Sequence, residues 1–386
     1  MKILILTQPL RNNYGGILQA YALQTVLKRM GHDVVTDSKH YRNISITRRT
    51  AGVLKRIIFK YILRRNISDS VFFPFIASKT WNTINRHTLR FVKENMTTVD
   101  FFKGKKRPDI KTVKVYDAIV VGSDQVWRKQ YSNVPTYLLD FTKGMNIKRI
   151  AYAASFGTND LSEYTPRLIK RTAKLAKQFD AVSVREDSGV FLCATYWNVE
   201  ATHLLDPTLL LDKNDYIQLI EHDSKYVSPS QGNLFVYILD RTTEKQQIVN
   251  QISSTLHLSA FEMLPEKISN LKNLKELDKY TYPPVAQWLQ SFADAKFIVT
   301  DSFHGTVFSI LFNKPFIVTG NKKRGQARFS SLLRTFNLEN RLVSSSRNEQ
   351  VNEIILNKID WSSINSIISC KRNNAIHFLN KDLSIS

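Results

Sequence analysis

The sequence predicts an α/β protein made of two parallel-sheet halves that join near residue 206. Three observations predict this. Short apolar runs alternate with longer amphipathic ones along most of the 386 residues, as in βαβ units. Many of the apolar runs end in Gly, Ser, Asp or Asn, residues that close strands and open helices. The length also fits two domains of roughly 100–200 residues each.

The elements follow in order. Lys2–Thr7 reads as a buried strand, and Asn12, Asn13, Gly15 and Gly16 as a turn. Ile17–Met30 reads as a helix, with Ile17, Ala20, Tyr21, Leu23, Leu27 and Met30 near one face and Gly31 as its stop. His32–Thr36 is the second strand. Ser38–Ser68 then holds nine basic residues and no acidic one. Within it Leu54, Ile57, Ile58, Tyr61 and Ile62 recur at helical spacing, so Leu54–Arg65 reads as a basic amphipathic helix. It either lies on an anionic membrane or packs into the first domain with its cations solvated.

The α/β rhythm resumes with strands at Asp117–Gly122, Arg149–Ala154, Ala181–Val184 and Thr202–Leu205, and a helix at Glu163–Gln178. Asp206-Pro207-Thr208 is the expected hinge. The second half has strands at Leu234–Leu239, Lys296–Thr300 and Phe316–Val318. Its helices are Glu244–Leu256, Pro283–Ala293, Val307–Phe312 and Gly325–Phe336. The expected domains are therefore 1–206, with a basic insertion at about 38–110, then 207–360, then a helical tail at 361–386.

Composition limits the function. With 43% apolar residues the chain can bury a core, which excludes general disorder. Two cysteines, Cys193 and Cys370, exclude a disulfide-stapled scaffold and read as ordinary thiols. The first apolar run is too short for a signal-peptide core, and no run is long enough to span a bilayer. The expectation is a cytoplasmic protein, peripheral at the inner membrane face if residues 39–65 dock there. Fifty-five Lys and Arg against 33 Asp and Glu give a charge of +22, which asks for an anionic partner. Zinc-finger, RNP1 and helix-turn-helix patterns are missing from the sequence, so nucleic acid is the weakest of these partners.

The segments beyond the strand ends carry the candidate chemistry, and open α/β sheets bind ligands there. His304 opens a helix in Asp301-Ser302-Phe303-His304-Gly305-Thr306. It can give and take protons near neutral pH, and the helix N-terminus at Gly305 and Thr306 favours an anion. Alternatively it hydrogen-bonds its own turn. Arg185 can grip a carboxylate or phosphate, or pair with Glu186 or Asp187. Asp124, after Gly122-Ser123, can activate a hydroxyl or cap a helix. Trp127 can stack on a sugar or fill the core. Asn13, Tyr14, Gly15 and Gly16 offer a loop that a ligand can approach, or a plain turn. Lys323, Arg324 and Arg328 can close over a phosphate, or form a solvated loop, with Arg328 the best placed to point inward. Metal-ligand spacings and a Gly-x-Ser-x-Gly elbow are missing from the sequence, so no metal is expected.

These segments, in this order, resemble the polysaccharide pyruvyl transferase family. The matching pieces are Asn13-Tyr14-Gly15-Gly16 with Gln19-Ala20-Tyr21-Ala22-Leu23, Gly122-Ser123-Asp124-Gln125-Val126-Trp127, and Ser155-Phe156-Gly157. They continue with Ser183-Val184-Arg185-Glu186-Asp187-Ser188, Asp206-Pro207-Thr208, Asp301-Ser302-Phe303-His304-Gly305 and Arg328-Phe329. The resemblance implies two Rossmann-like domains in a GT-B-like arrangement, with the active site in the interdomain cleft. It also implies transfer of pyruvate from phosphoenolpyruvate to a sugar diol of a surface polysaccharide precursor, giving a cyclic ketal with no cofactor required. His304 is then the catalytic candidate, with Asp124 and Arg185 beside it. Arg185, Arg328, Lys323, Arg324, Gly305 and Thr306 would hold the donor, and Asn13, Tyr14, Gly15, Gly16, Ser123, Trp127 and Ser155 the acceptor side of the cleft. The chain departs from the family where Ser302 and Phe303 replace an Arg and a Leu before His304. Arg328, Arg324 or Lys323 then replaces that Arg, or the donor differs. A GT-B glycosyltransferase using a nucleotide sugar is the competing enzyme reading.

Overall fold

The computed structural model describes residues 1–38, 46–64, 71, 78–266, 276–320, 325–343 and 348–384. Seven strands form the first sheet: β1 (Lys2–Leu6), β2 (Asp33–Asp37), β3 (Thr98–Val99), β4 (Ala118–Val121), β5 (Lys148–Ala154), β6 (Ala181–Val184) and β7 (Thr202–His203). Their order is β3-β2-β1-β4-β5-β6-β7, and every pairing is parallel. The second sheet holds β8 (Leu234–Tyr237), β9 (Ala260–Glu262), β10 (Phe297–Thr300), β11 (Phe316–Thr319) and β12 (Leu342–Val343). Its order is β12-β11-β10-β8-β9, again all parallel. The central strands are apolar on both faces because helices cover both sides: Ile3 to Leu6 and Ala118 to Val121 are fully buried.

Both sheets are doubly wound, and each reverses its strand order once: between β1 and β4 in the first, between β8 and β10 in the second. A crevice opens at such a reversal, beyond the carboxyl ends of the strands. The loops at 7–13, 122–127, 238–242 and 301–302 are therefore the ones the topology reserves for a ligand. The expected pair of Rossmann-like domains is present. The first has the dinucleotide-fold strand order, and the second the flavodoxin-type order.

Helix ends depart from expectation for local reasons. The first helix is Tyr14–Arg29, so Tyr14, Gly15 and Gly16 lie in its first turn rather than in a loop. Pro166–Ala176 replaces the longer helix expected from Glu163, because Thr165 caps it and Pro166 fits only the first turn. The cations Arg167, Lys170, Arg171, Lys174 and Lys177 on it are all exposed. Phe303–Leu311 starts earlier than expected because the Ser302 hydroxyl accepts from Gly305 N–H.

The halves are joined by more than the hinge. One buried cluster runs from Ile3, Tyr14 and Ile17 to Trp288, Phe292 and Phe308. At its crossing point the Tyr14 ring stacks on Trp288 at 5.2 Å, and its hydroxyl donates to Pro283 O at 2.8 Å. The later part of the insertion also reaches across. Ile84 packs with Tyr280, and Arg86 bonds Thr281 and Asp278. The tail helix Trp361–Leu383 packs back along the junction: Arg372 donates to Leu209 O and Leu211 O, just past the hinge, and Phe378 meets Tyr152 of the first domain. Cys193 is buried and Cys370 exposed, both as free thiols.

Candidate active site

A cavity of about 790 Å³ lies where the two strand-order reversals face each other. Gln8, Pro9, Arg11, Asn12, Asn13, Asp124 and Gln125 line it from the first domain. Tyr237, Leu239, Asp240, Asp301, Ser302, Phe303, His304 and Arg328 line it from the second. Four residues singled out from the sequence thus line one cavity: Asn13, Asp124, His304 and Arg328.

His304 sits in the first turn of the helix Phe303–Leu311, 6% exposed. Its ring rests on the first domain. A Cβ on Gly15 would stand 2.0 Å from His304 Cγ, so only glycine admits the imidazole there. Nε2 lies 3.5 Å from Asp206 Oδ2, an electrostatic contact longer than an ordinary hydrogen bond. The same carboxylate accepts from Arg185 Nη1 at 2.8 Å and from the Ser123 hydroxyl at 3.3 Å, while Oδ1 accepts from Thr208 N–H and its hydroxyl. The expected hinge residue is thus the anion that ties His304 to the first domain. Burial pushes the Asp206 carboxyl up, but the His304 imidazole and the Arg185 guanidinium outweigh it, and the net shift is well below the usual carboxylate range.

Arg185 is placed differently from the donor clamp expected of it. Its side chain is 1% exposed and engaged with Asp206 and with Asp124 at 3.4 Å, while Nε is 3.7 Å from Glu186. The Phe303 ring covers its guanidinium at 4.2 Å. Arg185 is therefore not among the residues that line the cavity; it organises Asp206, Glu186 and the lining residue Asp124 from behind. Glu186 accepts the Ser155 hydroxyl; burial raises its carboxyl, opposed chiefly by Arg185.

Arg328 lines the cavity, its guanidinium 5.6 Å from the Phe303 ring. Burial, and then the Arg185 charge, lower it to about 10, so it stays cationic at neutral pH. Both guanidiniums thus lie near the Phe303 ring. Lys323 and Arg324 lie outside the described residues.

Asp124 presents its carboxylate beside Asn13 Nδ2 at 3.3 Å. Its backbone is left-handed (φ 67°), a conformation Asp tolerates better than most residues, held by Val126 N–H and Ser155 N–H donating to its carbonyl.

Other expected contacts do not reach the cavity. The Gly305 and Thr306 N–H groups are taken by Ser302, and both residues are buried in the helix, so this helix start does not offer them to a donor. A Cβ on Gly305 would meet Thr300 Oγ1 at 2.2 Å, so the glycine serves close helix–strand packing. Trp127 is fully buried between Phe156 and Trp197, which corrects its reading as a sugar platform. Tyr14 is spent on Trp288, Gly16 packs on Asn13, and Ser123 and Ser155 are internal hydrogen-bonders.

The sequence reading missed Arg11, Gln8, Tyr131 and Tyr282, which all line the cavity. Arg11 carried a signal: it stands in the loop after β1, the first of the reserved positions. It also missed the role of Asp301, whose carboxylate accepts from Leu239 and Asp240 N–H and from Lys245 at 2.7 Å, pinning the loop after β8. Among the described residues, no group of three or more His, Cys, Asp or Glu could hold a metal ion.

Several solved structures are similar in outline. The UDP-GlcNAc 2-epimerase of Neisseria meningitidis bound to UDP-GlcNAc aligns at TM-score 0.46 and 10% identity, covering 99% of both chains. The Methanocaldococcus jannaschii UDP-GlcNAc 2-epimerase aligns at 0.46 and 14%, covering 96% of this chain and 99% of the other. Medicago truncatula UGT71G1 complexed with UDP-glucose aligns at 0.47 and 10%, covering 98% and 97%. No curated protein matches the chain. The sequence profile of polysaccharide pyruvyl transferases matches residues 13–323, which includes Asn13, Asp124, Arg185, Asp206 and His304. With four-fifths of its length inside that match, the chain belongs to the polysaccharide pyruvyl transferase family and is a transferase.

Proposed function

We propose that the protein moves the pyruvyl group of phosphoenolpyruvate onto two hydroxyls of a saccharide, forming a cyclic ketal and releasing phosphate. The observation that carries this reading is that His304, Arg328 and Arg11 line one interdomain cavity. It supplies a proton donor and two cations, and the donor carries a carboxylate and a phosphate.

In this reading Arg328 and Arg11 hold the anionic groups of the donor. His304 gives a proton to the methylene carbon, which makes C2 electrophilic. One saccharide hydroxyl attacks C2 and passes its proton to Asp124. Phosphate then leaves with the bridging oxygen, taking that proton from Asp124 so that hydrogen phosphate departs, its charge met by the buried guanidinium of Arg328. The second hydroxyl closes the ketal, its proton going to His304. Arg185 and Asp206 touch no substrate; they fix Asp124 and the imidazole. The volume beyond the donor, with Tyr131, Tyr282, Gln8 and Asn12 on its wall, receives the saccharide.

Thermal shift tests donor choice. Phosphoenolpyruvate is expected to raise the melting temperature, by about 2.7 kcal/mol of stabilisation at a hundredfold excess over Kd. Arg328→Ala is expected to remove most of that shift. Stabilisation by nucleotide sugars alone would replace the proposed donor.

A further inference from the structure

The basic insertion carries an apolar row that the core does not use. The helix Ile46–Ile57 runs directly into a π-helical turn, Ile58–Ile62. Val53 is buried, yet Leu54 is 60% exposed, Ile58 41%, Tyr61 64%, Ile62 70% and Leu63 51%. Single exposed apolar residues are ordinary, but a contiguous set on successive turns marks an interaction surface. Lys55, Lys60 and Arg64 are exposed within the same segment. Lys55 Nζ lies 5.3 Å from the Phe59 ring centre and Lys60 Nζ 5.7 Å from that of Tyr61, so apolar and cationic groups are interleaved. No acidic residue occurs anywhere from Ser38 to Ser68.

The occupant must accept apolar side chains and supply negative charge close beside them. A second copy placing the same face against this one would bring two acid-free basic segments together, which Coulomb repulsion opposes. A bilayer with anionic headgroups offers both features at the right depth: side chains such as Leu54, Ile58 and Ile62 enter the acyl boundary while Lys and Arg remain among the phosphates. We propose that residues 50–64 form a docking surface for anionic lipid, holding the transferase on a membrane face. On the functional reading above, this brings the cavity to lipid-linked saccharides. The docking itself requires neither donor nor acceptor, so it is tested apart from the reaction.

The full chain is sedimented with vesicles of phosphatidylglycerol and phosphatidylcholine, and with phosphatidylcholine alone. Binding is expected to the anionic vesicles only and to fall with added salt. Replacing Lys55, Lys60 and Arg64 together by Gln is expected to weaken it roughly a hundredfold, about fivefold per cation. Leu54→Ser with Ile58→Ser and Ile62→Ser is expected to weaken it by more than about tenfold. Melting temperatures of both variants should match the wild type, since the altered side chains are exposed. Failure of the wild type to sediment with anionic vesicles overturns the proposal, as does wild-type binding by both variants. A dimer in ultracentrifugation that the Ser variant dissolves, without vesicle binding, overturns it in favour of a second copy.

Discussion

His304→Ala is expected to lower phosphate release from phosphoenolpyruvate in the presence of acceptor by about a hundred- to ten-thousandfold, the usual range for a general acid–base group. Folding should survive the change. The helix carrying His304 is capped by Ser302, and the ring contacts Gly15 and faces the cavity rather than supporting the helix. The matching measurement is phosphate release beside a melting curve. Wild-type release by a folded variant would remove His304 from the reaction.

Asp206→Asn should be the most damaging single-atom exchange for stability. The carboxylate is fully buried between Arg185, His304, Ser123 and Thr208, so losing its charge leaves Arg185 with less compensation. Breaking a buried pair costs about 3–5 kcal/mol, and the remaining Asp124 and Glu186 place this case near the lower figure. At roughly 2–4 °C per kcal/mol, the melting temperature should drop by about 6–12 °C at neutral pH. The pH dependence has a definite sign. Because His304 and Arg185 depress the folded Asp206 carboxyl against burial, its stabilisation is complete above the unfolded pKa of about 3.9 and is lost as pH falls below that toward the folded value. The gap between wild type and variant should therefore be constant from neutral pH down to about pH 5 and narrow below about pH 4. A gap that does not change with pH would show that Asp206 acts through packing alone.

Much of this arrangement is legible in the sequence. The strand ends at Leu6, Val121 and Thr300 follow from apolar runs closed by polar residues, while β8 ends at Tyr237, two residues before the expected Leu239; the topology then dictates where the cleft opens. Asn13, Asp124, His304 and Arg328 all stand just past such ends or at the start of the following helix, and all four line the cavity. What the sequence could not reveal depends on burial and on contacts between distant segments. Nothing in the local pattern of Ser183-Val184-Arg185-Glu186 says that Phe303, more than a hundred positions later, covers the guanidinium. Trp127 looks the same locally whether it meets solvent or Trp197. Asp206 reads as a hinge until its Oδ2 is seen to face a histidine of the other domain. The short strands β3, β9 and β12 escaped because two or three residues carry no period.

The arrangement also divides the +22 charge. Arg185 balances internal carboxylates, and Arg328 and Arg11 line the cavity. The cations of 163–178 are solvated, and those of 50–64 border an exposed apolar row.

The most direct test of the central claim is mass spectrometry of products formed from phosphoenolpyruvate and a panel of saccharide diols, lipid-linked ones included. The account predicts a product heavier than its acceptor by pyruvate less one water, with one phosphate released per ketal and both lowered at least about a hundredfold in the His304→Ala variant. Transfer of a glycosyl group from a nucleotide sugar, with no pyruvylated product from any acceptor, would contradict it.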